Sequence, residues 1–107
     1  MKYILHVENS PTIRAGVRGL CRRVDGIELV EAASLDDAKR EIRALDLGAS
    51  DLAILDWSLP DGCARSLLPL LTCRIVILSA CPPVVPGAVV IPKEGDWRRL
   101  LETELRK

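Results

Sequence analysis

Five polar residues in this chain stand behind short strand-like runs. Glu8 and Asn9 follow Tyr3 to Val7, Asp56 follows Leu52 to Leu55, Ser79 follows Arg74 to Leu78, and Lys93 lies one proline beyond Ala88 to Ile91. Two carboxylates and an amide supply the hard oxygen ligands that Mg2+ takes, usually together with water. A hydroxyl and an ammonium group can contact or neutralise the oxygens of an anion beside such a metal. A phosphoryl group calls for both kinds of partner, and a carboxylate such as Asp56 can itself be the nucleophile and become an aspartyl phosphate. The same residue types also suit a plainer arrangement. In it Asp56 caps the turn Ser58-Leu59-Pro60-Asp61-Gly62, and Lys93 pairs with Asp56 or Glu8 as an ordinary ion pair.

The elements that would position these groups alternate along the chain. After the first strand, Ser10-Pro11 gives an N-cap followed by proline at the first helical position, and Ile13, Val17, Leu20, Cys21 and Val24 recur at helical spacing. Asp25-Gly26 closes that helix, and Ile27, Leu29 and Val30 form a second strand. Ser34 opens a second helix with an acid, Asp37, three residues on; its apolar stripe is Leu35, Ala38, Ile42 and Leu45, and Gly48 ends it. Leu52 to Leu55 is apolar enough to be buried on both faces. Cys63 to Leu71 reads as a third helix that Pro69 limits to two turns or kinks. Ala80 to Gly87 holds Pro82, Pro83 and Pro86 and cannot be a regular helix. Asp96 is placed to cap a last helix with Trp97, Leu100, Leu101 and Leu105 on one face.

Strand and helix in alternation predict parallel strands joined by right-handed crossovers with helices on both faces: an α/β, doubly wound, five-stranded parallel sheet. In such a sheet the functional crevice lies outside the carboxyl ends of the strands, which is where Glu8, Asn9, Asp56, Ser79 and Lys93 fall. At 107 residues the chain is expected to form a single domain over 1–107. Composition is globular, 49% hydrophobic and 28% charged, and 15 basic residues balance 15 acidic ones, so no overall charge draws it to nucleic acid or membrane. No run approaches a membrane span and no secretory signal is recognisable, which predicts a cytoplasmic domain. Cys21, Cys63, Cys73 and Cys81 form no C-x-x-C pair and are expected to be buried free thiols rather than zinc ligands or disulfides. Arg14, Arg18 and Arg22 recur every four residues as a basic stripe, read as a solvated face. Beside it lie the helix-weakening Gly16 and Gly19, which suggest close packing or the approach of another helix.

Over its whole length the chain resembles the receiver domain of bacterial two-component response regulators. The resemblance rests on HVENSPTIR, LAILDWSLPDG, IVILSA and VVIPK, in that order and each at a strand end. It implies a flavodoxin-like sheet with strand order 2-1-3-4-5 and a response regulator that works in a phosphorelay as a switch rather than an enzyme. Asp56 matches the phosphoacceptor, charged from a phosphohistidine on a histidine kinase or histidine phosphotransfer protein. Glu8 and Asn9 match the acidic pair that binds Mg2+ with Asp56 and the carbonyl of Ser58. Ser79 matches the hydroxyl residue that reorients on activation, and Lys93 the lysine that contacts the phosphoryl group.

This chain departs from the family pattern in two places. Asn9 stands where the pattern has aspartate, so metal affinity is expected to fall. On the output side Val90 replaces the switch aromatic, Glu94 stands where a proline usually follows the lysine, and the proline-rich Ala80 to Gly87 replaces the fourth helix. The shortened side is expected to leave Val76, Leu78, Val84 and Val85 in need of cover, either from a second copy or partner or from the loop itself. Three functional readings follow: a phosphorylatable receiver signalling by protein contact; a pseudo-receiver interaction module with weak or no phosphorylation; and a small Mg2+-dependent aspartyl phosphatase. The last is disfavoured by Ser58, where such hydrolases commonly place a second aspartate.

Overall fold

A computed structural model describes residues 2–107. The strands β1 (Lys2–Val7), β2 (Ile27–Ala32), β3 (Leu52–Leu55), β4 (Arg74–Ser79) and β5 (Val89–Pro92) form one parallel sheet in the order β2-β1-β3-β4-β5. The expected doubly wound sheet and its order are therefore present. The helices α1 (Pro11–Cys21), α2 (Leu35–Ala44) and α3 (Trp97–Leu105) complete the fold with a 3-10 helix over Ala64–Leu70. Both caps read from the sequence at α1 and α2 form: Ser10 Oγ accepts from the Ile13 N–H at 3.3 Å, and Ser34 Oγ from the Asp37 N–H at 3.2 Å.

Each face of the sheet carries its own core, because side chains alternate along every strand. Ile4, Leu52, Ile54, Val76, Leu78 and Ile91 pack with Val17 and Leu20 of α1 and Trp97 and Leu101 of α3. Leu5, Val7, Ala53 and Leu55 pack on the other face with Leu35 and Ala38 of α2 and Leu67 of the 3-10 helix. β1 and β3 are thus buried on both faces, which suits their nearly continuous apolar sequence.

Five details differ from expectation. The Cys63 to Leu71 stretch is not α-helical: Pro69 lies inside a 3-10 helix, whose tighter winding suits a short segment. It is preceded by an antiparallel hairpin pairing Ser58–Leu59 with Gly62–Cys63, where turn chemistry alone was expected. Asp96 occupies the N-cap position of α3 but its carboxylate makes no cap bond, pairing instead with Arg99 at 3.0 Å, and Leu100 is off the buried face at 44% exposure. All four cysteines are free, but only Cys21 is buried; Cys63 and Cys81 are exposed. Val76 and Leu78 need no outside cover, since α3 buries both, and on the shortened side it is Val84 and Val89 that reach solvent.

The glycines of α1 have separate explanations. A Cβ on Gly16 would lie 3.0 Å from Cη2 of Trp97, so Gly16 is where α3 seats its buried indole against α1. Gly19 has open space around it.

Candidate functional site

The backbone ladder continues one residue past three strands and fixes the site. The Glu8 N–H donates to the Ala32 carbonyl, the Asp56 N–H to the Val7 carbonyl and the Lys93 N–H to the Ser79 carbonyl, each at 2.9 Å. Glu8, Asp56 and Lys93 continue the alternation of Ile4, Ile54 and Ile91, so all three emerge on the α1/α3 side of the sheet. A loop residue held by a ladder bond inherits the rigidity of the strand, which is what a reactive group requires.

Their side chains meet. Lys93 Nζ donates to Glu8 Oε2 at 3.0 Å and lies 2.9 Å from Glu8 Oε1 and 3.2 Å from Asp56 Oδ1. Glu8 is 1% exposed, and its Oε2 also accepts from the Ser10 N–H at 3.1 Å. Its Oε1 faces the same ammonium, so the carboxylate meets Lys93 with both oxygens. Burial pushes the Glu8 carboxyl up, the Lys93 and Ser10 hydrogen bonds pull it back, and the nearby Asp56 charge raises it further. The ion pair considered from sequence alone is therefore present, and it is shared: one ammonium serves two carboxylates.

The other expected residues sit differently. Ser79 is buried next to the cluster, but its hydroxyl is engaged within its own loop, donating to the Cys81 carbonyl at 3.1 Å and accepting from the Cys81 N–H at 3.2 Å. Asn9 is exposed, and Ser58, two residues beyond Asp56, opens the hairpin and is exposed as well. Among the described residues no group of three or more His, Cys, Asp and Glu side chains is arranged to hold a metal ion. The donor chemistry nonetheless suits a hard cation: two carboxylates already share one positive charge, and Glu8 Oε1 has lone pairs to offer. With Asn9 at the rim, the set carries one negative charge fewer than three acids would.

Several supporting groups escaped the sequence reading. Arg14 and Arg18 do not form a solvated stripe. Arg18 holds Glu31 of β2 through two hydrogen bonds at 2.9 and 2.8 Å, which keep the Glu31 carboxyl below its usual range. Arg14 Nε lies 3.8 Å from Glu31 and its Nη1 donates to the Glu8 carbonyl at 3.2 Å, tying α1 to the site. The signal was Glu31 itself, an acid on the same strand face as the apolar Ile27 and Leu29. Asp61 was read only as turn chemistry. Its carboxylate accepts from the Leu35 and Asp36 N–H groups at 2.8 and 3.1 Å, joining the loop after Asp56 to the N-terminus of α2. These bonds, the Leu35 one foremost, hold the Asp61 carboxyl below its ordinary value.

His6 lies between Ile4 and Glu8 on the same strand face, in register with Glu31 and Ile54 of the flanking strands. It is wholly buried, and neither ring nitrogen has a hydrogen-bond partner. Burial pushes its pKa down to about 4; the charges of Lys93, Arg14 and Arg18 act in the same direction and Glu31 opposes them.

No family model and no curated protein sequence matches the chain. Solved structures do. A two-component response regulator from Clostridium difficile is similar over 98% of this chain and 93% of its own, at 18% identity and a TM-score of 0.79. The receiver domain of the hybrid histidine kinase CckA is similar over 96% and 95%, at 28% identity and a TM-score of 0.76. The response regulator TrrA from Thermotoga maritima, solved in complex with Mg2+ and BeF, is similar over 98% and 97%, at 22% identity and a TM-score of 0.74. With its 2-1-3-4-5 parallel sheet and near-complete coverage by these structures, the chain has the fold of a response regulator receiver domain.

Proposed function

We propose that the protein is a phosphorylatable receiver that accepts a phosphoryl group on Asp56 from a phosphohistidine of a histidine kinase or phosphotransfer protein. The observation that carries this reading is the convergence of Asp56 and Glu8 on Lys93 at the strand ends. An Asp56 carboxylate oxygen attacks phosphorus, the O–P bond forms as the N–P bond of the donor breaks, and the bonding pair returns to the imidazole. Lys93 is close enough to Asp56 to balance charge on the incoming phosphoryl oxygens. Ser79 would have to leave Cys81 to reach them. When bound, Mg2+ would supply further positive charge for those oxygens, held by Glu8, Asp56, the Ser58 carbonyl and the amide of Asn9.

The reading makes the protein a switch rather than an enzyme, acting in the cytoplasm by protein contact; no helix of the described residues is long and apolar enough to cross a membrane. The shortened side, with Val84 at 92% and Val89 at 43% exposure, is the contact assigned to a second copy of the chain. A monomer by light scattering at high micromolar concentration rejects that assignment.

Incubation with Mg2+ and acetyl phosphate or a phosphohistidine donor is expected to give one phosphoryl adduct by intact mass, absent from Asp56→Asn. No adduct over a wide range of metal concentration removes the phosphoswitch and leaves a pseudo-receiver interaction module. That second reading is favoured by Asn9 and by the lysine already shared between both acids.

A further inference from the structure

A second charged feature lies away from the strand ends. Where the sheet begins, Lys2 Nζ donates to the Leu105 carbonyl and its N–H to the Gly26 carbonyl, so the C-terminal ends of α1 and α3 come together. Between them is a cleft of about 470 Å3 whose lining includes Leu20, Arg23, Arg98, Arg99, Glu102 and Arg106. Four arginines line this space with one carboxylate, Glu102, and a second, Asp96, pairs with Arg99 at 3.0 Å, in a protein whose overall charge is zero. The positive potential is therefore local.

The guanidiniums are exposed, and two of them share a partner. Glu102 accepts two bonds from Arg106, at 3.1 and 2.9 Å, and lies 3.5 Å from Arg23; Arg106 also donates to the Arg23 carbonyl at 3.4 Å. One carboxylate thus lies between two guanidiniums that stand just beyond the C-terminal ends of α1 and α3. Arg98 lies over the ring of Trp97, 4.5 Å from its centroid, and that ring is itself seated against Gly16. Arg98 is oriented before any ligand arrives, which lowers the entropy cost of binding, while Glu102 keeps Arg23 and Arg106 beside the cleft until a ligand takes its place. Guanidinium forks match phosphate oxygens in pairs, and positive groups on two walls favour a ligand with more than one charge. The cavity volume falls in the range of small-ligand sites.

We propose that this cleft binds a small molecule carrying two or three linked phosphoryl groups, independently of the chemistry at Asp56. In the complex the phosphates displace Glu102 from Arg106 and Arg23 and are held between the two walls. The guanidinium face of Arg98 turned away from Trp97 is available to any organic portion.

The test is a titration of the full chain with inorganic triphosphate, ATP and an oligoglutamate peptide, followed by calorimetry and backbone amide shifts. Expected are 1:1 saturation by triphosphate, with shifts confined to residues around Leu20, Arg23 and the 98–106 segment. Tighter binding of ATP would identify a nucleotide as the source, and equal binding the phosphate chain alone. Arg23→Gln and Arg106→Gln should each weaken binding by about tenfold, while Glu102→Gln, which removes the competing charge, should tighten it about threefold. Arg98→Gln serves if either of the first two variants does not fold. Failure to saturate at millimolar triphosphate, saturation by oligoglutamate alone, or affinities unchanged in these variants would overturn the proposal. Acetyl phosphate labelling of Asp56 should be unaltered in Arg106→Gln, which separates this site from the other.

Discussion

Two single-atom additions to the same helix should move stability in opposite directions. Gly16 and Gly19 both lie inside α1, where replacing glycine by alanine favours the helix by about 1 kcal/mol. Around Gly19 a Cβ meets nothing within 4 Å, so Gly19→Ala should gain that full amount. At Gly16 the new Cβ would stand 3.0 Å from Cη2 and 3.4 Å from Cζ2 of Trp97, whose side chain is 4% exposed and locked among Leu101, Leu20 and Val17. Overpacking of that kind costs about 1–3 kcal/mol, so the net effect of Gly16→Ala is a loss of about 1 kcal/mol and the two variants differ by about 2 kcal/mol. Urea unfolding followed by far-UV circular dichroism measures both, and a gap of about 2 kcal/mol corresponds to melting temperatures about 10 °C apart for a chain of this size. Equal stabilisation by the two substitutions would refute the seating of the α3 indole on Gly16, and with it the account of how α3 closes the sheet.

Other consequences are sharper near the site. The unfolded His6 ring takes a proton near pH 6.5 and the folded ring only near about 4, so between those values the unfolded state binds more protons and stability falls as pH is lowered. The loss is about 3 kcal/mol across that window, and in EDTA-treated protein His6→Leu should flatten the wild-type slope while folding at least as stably at pH 7.5; an unchanged slope would mean the ring is not the proton acceptor. Lys93→Met strands Glu8 without its counter-charge and should cost about 3 kcal/mol at pH 8, less at pH 5 where a proton can take the place of the ammonium; a penalty independent of pH in chemical denaturation would count against the shared pair. Asn9→Asp restores a carboxylate at an exposed position and should tighten Mg2+ by about tenfold, read from quenching of Trp57 fluorescence or from the rate of adduct formation. An unchanged affinity would show that position 9 does not face the metal.

What could be read from the sequence was periodic or chain-local. Leu52–Leu55 appears as a strand in both sequence and structure, and the other four strands shift by a residue or two at their ends. Hydrogen bonding at those ends depends on the neighbouring strand, and the sequence does not show it. The caps Ser10 and Ser34 were legible because a cap acts within three residues, and the proline-rich Ala80 to Gly87 was legible because proline excludes a helix by its own geometry. The interactions that were missed bridge distant positions: Asp61 caps a helix that starts 26 residues earlier, and Arg18 reaches across to Glu31 on the next strand. His6 looked like one more strand residue, because burial with no partner for its nitrogens is a property of packing and leaves no local mark.

The charge at the site links the two open functional questions. At rest, Glu8 and Asp56 share the single positive charge of Lys93, leaving an excess of one negative charge in a largely buried cluster. Converting the Asp56 carboxylate into an acyl phosphate replaces one negative charge by roughly two, while Glu8 remains beside it. Lys93 alone then falls further short of balance, and the deficit needs either a divalent cation or a rearrangement that brings another cation in. Arg14, bonded to the Glu8 carbonyl, is one such group. On the proposed reading, phosphorylation and metal affinity would be coupled through the same deficit, and Asn9 would act on both at once by weakening the attraction for the metal. A phosphoryl adduct whose lifetime and yield do not respond to Mg2+ would mean that the protein balances the charge internally, and Arg14→Gln would then be expected to abolish the adduct while leaving the fold intact.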